Sequence, residues 1–139
     1  MKPFIDLLGR MLLSVIFFFE AYDSIRYFDL TRQTMTEYGI TWRQDLLLIG
    51  AIGVLILGAT LILIGYRPAL GVLLLLLYWV PVTFIVHAFW NVPQEDIREA
   101  AISFMKNIAI IGGLLMVYVN GAGKWSIKRL FATSRVPGA

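Results

Sequence analysis

Four polar side chains stand inside or against otherwise apolar stretches of this chain: Glu20, His87, Lys106 and Asn107. Brought together, they form a set able to hold a small molecule. The lysine would stabilise negative charge developing on a ligand oxygen, and the histidine would deliver a proton near neutral pH. Trp90 follows His87 closely enough to offer an aromatic face to the same ligand. A lysine within a membrane costs about 3 kcal/mol on insertion scales unless something pairs with it, so a Glu20–Lys106 pair with His87 beside it is the expected constellation. Arg10 lies nearer a helix end and reads as a structural or lipid-facing residue whose stem reaches back to phosphates. With one histidine and no cysteine, a thiolate metal site, a disulfide and a multi-histidine metal or haem centre within the chain are excluded.

The setting of these groups is a membrane. Of 139 residues 59% are hydrophobic and only 15% charged, and the mean hydropathy is +0.78, whereas soluble domains carry about a quarter charged residues. The length suits a single domain with no separate soluble catalytic module, so any chemistry must occur in or against a bundle of spanning helices. Nothing suggests nucleic-acid binding.

Four segments approach the roughly 20 apolar residues that a span requires: about 4–22, 45–64, 69–90 and 100–119, followed by a basic tail over 120–139. The fold class is therefore an all-α membrane protein, a four-transmembrane-helix bundle. Gly65-Tyr66-Arg67-Pro68 dictates a tight reversal, because proline cannot continue a helix. Asn91-Val92-Pro93 closes the third span, and Gln94-Glu95-Asp96 places acids where the next helix dipole favours them. The first segment lacks a small-x-small cleavage site at Phe19-Glu20-Ala21 and is expected to be retained. Between the first two spans, residues 23–44 mix charge with aromatics, which predicts a short interfacial helix or loop anchored by Tyr27 and Trp42.

Basic residues favour one side of the membrane. Lys2, Arg67, Lys124, Lys128, Arg129 and Arg135 outnumber Arg26, Arg32, Arg43 and Arg98, so both termini are expected in the cytoplasm. Glu20 then falls near the outer end of the first helix, His87 within a turn of the outer interface, and Lys106 about 10 Å below it. Ser103, Lys106, Ala109 or Ile110, and Gly113 form a small-residue stripe that predicts Lys106 facing the bundle. Ala51, Gly58 and Gly65 form a matching seam on the second helix. Pro81 predicts a kink and a cavity beside Thr83 and His87.

"LLGRMLLSVIFFF", "GYR", "HAFW", "FMKNIAIIGGLLM" and "GAGKWSIK" resemble the DoxX family of small four-helix membrane proteins along nearly the whole chain. The family's Gly-Arg arginine falls on Arg10, its lysine-asparagine pair on Lys106 and Asn107, and its third-helix histidine on His87. Glu20-Ala21 stands where many relatives carry a small Ser-Gly pair. The resemblance implies a bacterial inner-membrane, redox-associated subunit. In that reading a quinone, bound without covalent attachment, stacks near Trp90, Trp79 or Tyr78 in the outer leaflet and bonds to Lys106 and His87, with electrons coming from a partner redox protein. The competing expectation is a non-enzymatic anchor or assembly subunit of a larger complex, in which polar groups only hold helices together.

Overall fold

The Gly65–Pro68 reversal is the local feature from which the bundle is built. In the computed structural model, which describes residues 1–127, α3 (Gln44–Ile64) ends at Gly65 in the left-handed conformation (φ 68°), and α4 (Pro68–Val86) begins on the proline. Glycine enters that conformation without steric penalty, and proline at a first turn loses no needed hydrogen bond. The two helices return along one another with glycine set against glycine. A Cβ on Gly71 would stand 2.8 Å from the carbonyl oxygen of Gly58, and one on Gly58 would stand 2.7 Å from Leu75 Cγ. This close backbone approach is the small-residue packing that membrane helices use.

The remaining helices are α1 (Lys2–Arg26), α2 (Phe28–Glu37) and α5 (Ile97–Asn120), and a 3-10 turn covers Phe89–Asn91. Among the described residues there is no strand. α1 packs on α3, α3 on α4 and α4 on α5, while α1 and α5 meet only thinly. The core joins Phe17 and Ala21 of α1, Leu55, Ala59 and Ile62 of α3, Val72, Leu75 and Trp79 of α4, and Leu114 of α5. Most other large apolar side chains point outward, including Leu57, Leu73, Leu77 and Met116, as expected where lipid rather than water surrounds the helices.

Three stretches are long and apolar enough to cross a membrane: Gln44–Ile64, Pro68–Asn91 and Ile97–Asn120. The expected fourth span belongs to α1, which has 25 residues but carries Asp6, Arg10, Glu20 and Asp23 along its length. By length and composition alone three stretches qualify as spans, and α1 is not among them. The third span also breaks earlier than expected. Its α-helix stops at Val86 with His87 as the C-cap, so His87 and Trp90 do not share one helical face. The basic tail falls partly outside the description, since Lys128, Arg129 and Arg135 lie beyond the described residues.

The 23–44 connection contains the ten-residue α2, none of whose side chains is buried. Tyr38 Oη donates to the carbonyl of Val86 at 3.1 Å, supplying a donor to one of the carbonyls that the end of α4 leaves open. Arg32 donates to Asp45 at 2.7 Å, and this bond holds its guanidinium above the ordinary arginine range. Gln44 donates to Thr36 and to the carbonyl of Ile40. Together these bonds tie α2 to the start of α3 and the end of α4.

Candidate functional site

The most elaborate polar arrangement lies where α1 passes the end of α3. Asp6, Arg10 and Ser14 recur every four residues, so they share one face of α1. Arg10 is 2% exposed. Its Nε donates to Asp6 Oδ2 at 3.0 Å, Nη1 donates to the carbonyls of Ile62 at 3.2 Å and Leu63 at 2.9 Å, and Nη2 donates to the carbonyl of Trp125 at 2.6 Å. Ser14 Oγ donates to Ala59 O one turn further on. The guanidinium thus satisfies orphan carbonyls at the C-terminal end of α3, where a positive charge also complements the helix dipole. At the same time it clasps the segment that follows α5. Four of the five N–H donors of arginine are occupied, leaving almost nothing for a ligand.

Gly65 makes this clamp possible. A Cβ there would meet Ser126 Cβ at 2.6 Å and Arg10 Nη1 at 2.9 Å. Gly123 is similarly constrained, since its Cβ would fall 2.7 Å from Asp6 Cγ. Three of the sequence features singled out above, Gly9-Arg10, the Gly65 turn and Gly121 to Ser126, therefore converge in space. The lipid-facing reading of Arg10 is corrected, because its partners are backbone carbonyls inside the fold rather than phosphates outside it. Asp6, Ser14 and Ser126 were missed. The four-residue spacing of Asp6, Arg10 and Ser14 was the available signal.

The expected Glu20–His87–Lys106 constellation does not assemble. Glu20 is half-buried and accepts from Tyr78 Oη at 3.3 Å. Lys106 is exposed and makes no ion pair among the described residues. It lines a shallow polar concavity of about 440 Å³ with Glu95, Arg98, Glu99, Ile102 and Ser103. The small-residue stripe misjudged the rotation of α5. The buried positions are Asn107 and Leu114, whereas Lys106 is exposed, so the helix turns Asn107 rather than Lys106 inward. Trp90 leaves His87 and joins an aromatic cluster, with its ring 5.1 Å from Phe89 and 5.5 Å from Phe104, and with Phe104 5.4 Å from Phe84. Beside Pro81, Thr83 is fully buried and donates to the carbonyl of Trp79 at 2.6 Å.

The register of the helices also resets the depth of Glu20. Arg10 is level with the end of α3, so the first two turns of α1 overhang the bundle. Glu20 stands ten residues beyond Arg10 and meets Tyr78, itself ten residues beyond Pro68, which puts both about 15 Å along the helices from the Gly65–Pro68 end of the bundle.

Comparison with known proteins places the chain elsewhere than its DoxX-like motifs suggested. The model of the SURF4 family matches residues 1–130. Inner membrane protein YphA of Escherichia coli (strain K12) is 27% identical over 128 residues, covering 92% of this chain and 91% of that protein. The Surfeit locus protein 4 homolog of Schizosaccharomyces pombe is 30% identical over 91 residues, covering 64% of this chain and 29% of that protein. No solved structure matches. The DoxX assignment is overturned by the family match, and the quinone-binding, redox-associated reading built on it falls too.

Proposed function

The chain belongs to the SURF4 family, and from that premise we propose that it is a non-enzymatic multi-pass membrane protein that anchors or assembles a larger membrane complex. The observation that carries this reading is the occupancy of Arg10: among the described residues it is the one buried charged side chain, and it is consumed by Asp6 and three backbone carbonyls. The polar groups of the interior fasten helices, and the surface that remains for work is the outward-facing apolar one. α1 crosses the bilayer as the fourth span despite its charges, since Arg10 and Ser14 face α3. α2 lies along the interface, with Trp42 as an anchor. The membrane is an inner membrane, as the name of the Escherichia coli relative states for that protein.

Both termini are cytoplasmic in this reading. The chain has no cysteine, so single substitutions report cleanly: Thr31→Cys in α2 should react with a membrane-impermeant thiol reagent in intact cells and Lys2→Cys should not. The opposite pattern would reverse the topology. The assembly role is tested by extracting the chain, at its native expression level, in mild detergent and weighing the particle by native mass spectrometry. A second polypeptide in constant ratio is expected; a 15.7 kDa chain carrying lipid alone would reject the reading.

A further inference from the structure

Glu20 is the group that the Arg10 clamp leaves unexplained. Following the pairing of Arg10 with Ile62 and Leu63 and of Ser14 with Ala59, each step up α1 is a step down α3. Continued to Glu20, this register reaches the neighbourhood of Ile52 and Gly53, within about one turn of the middle of the apolar run from Leu46 to Ile64. Tyr78 confirms the level from the α4 side, because its hydroxyl donates to Glu20 Oε1 at 3.3 Å. A carboxyl group therefore sits near mid-bilayer depth with a single hydroxyl as its partner, although it can accept several hydrogen bonds. Asp23 follows less than one turn later, and neither acid makes an ion pair among the described residues.

Two independent features mark the surroundings as incomplete. The indole Nε1 of Trp79 is buried beside this pair without a hydrogen-bond acceptor, its residue only 5% exposed. The bundle is also least closed between α1 and α5, where a Cβ added to Gly112 would meet no neighbouring side chain within 4 Å and one on Gly113 would meet only Leu13, at 3.6 Å. Acidic side chains within a membrane are expensive and are found paired with a cation or a donor. Among the described residues no cation pairs with it, and the thin α1–α5 side gives access from the bilayer.

We propose that the Glu20–Tyr78 pair is the docking point, at mid-bilayer depth on the α1–α5 side, for a partner transmembrane segment that brings one basic side chain. This rests on the assembly reading and names the chemistry of the partner. Tyr78 holds the carboxylate in place, and the incoming ammonium or guanidinium supplies the missing charge. A helix without such a group gains only apolar contacts there, which lipid tails supply equally well.

The test uses the full chain in lipid nanodiscs and two fluorescent leucine-alanine transmembrane peptides, identical except for lysine or leucine at the centre. The lysine peptide should associate at least about tenfold more tightly than the leucine peptide, and Glu20→Gln should abolish the difference. Tyr78→Phe should reduce it several-fold while leaving the carboxyl group present. Equal association of the two peptides with the wild-type chain would overturn the proposal, and that comparison stands even if a variant fails to fold. Equal association together with a second polypeptide in the native particle would remove the basic docking point and leave the assembly reading intact. Tenfold discrimination with no second polypeptide in that particle would do the reverse.

Discussion

Replacing Arg10 by methionine should destabilise the protein in detergent by about 3 kcal/mol, the range in which removing one partner of a buried charged network falls. Methionine fills a similar length of space but donates nothing, so the carbonyls of Ile62, Leu63 and Trp125 lose their shared donor. Leaving buried acceptors without donors is the expensive part of such a change. Arg10→Lys should recover part of the loss, since an ammonium group keeps the charge but cannot span an acid and carbonyls from two separate segments as a planar fork does. Asp6→Asn should cost less than about 1 kcal/mol, because Asp6 is 30% exposed and partly solvated ion pairs contribute little. A second readout separates this clamp from general instability. Trp125 is held through its carbonyl, so trypsin should cut after Lys124 faster in Arg10→Met than in wild type at a temperature where both remain folded. Unchanged melting and unchanged cleavage would show that Arg10 fastens nothing.

Gly65→Ala is expected to rank next, with a loss of about 2 kcal/mol or more. Alanine pays about 1–2 kcal/mol in the left-handed conformation, and its Cβ would also press on Ser126 and on the Arg10 guanidinium. Because part of that damage passes through Arg10, the double variant Gly65→Ala with Arg10→Met should lose less than the two single changes added together, as is usual for residues in contact. Gly112→Ala is the control. Its site is open and lies inside a helix, so alanine should be neutral or stabilise by up to about 1 kcal/mol. Strict additivity of the first pair, measured by thermal unfolding, would mean that Gly65 acts through its backbone angle alone.

Much of the helix plan was legible because its signals are local. Gly65 and Pro68 mark the α3–α4 reversal through what one residue type permits and the other forbids, and the three most apolar stretches are visible from composition. The end of α4 was not, because hydropathy continues smoothly through His87 to Trp90 while the backbone tightens into a 3-10 turn. The site was harder for a related reason. Arg10 is satisfied mainly by carbonyls, and every residue has a carbonyl, so no side-chain pattern announces residues 62, 63 and 125. The stripe on α5 misled chiefly at Lys106: Ser103, Ile110 and Gly113 are partly buried, but the helix turns Asn107 inward and leaves Lys106 outside. The depth of Glu20 depended on how far α1 overhangs its neighbours, which is a property of pairing between helices and not of either sequence alone.

A protein that works through contacts within the membrane, on the side where α1 and α5 close least, should leave a partner within reach of that side. The measurement that tests it most directly is site-specific photocrosslinking in native membranes, with benzoylphenylalanine placed at Phe19, exposed beside Glu20, and separately at Leu57, exposed on α3. A discrete protein adduct is expected from Phe19 and only lipid adducts from Leu57. Lipid adducts alone from both positions would contradict it.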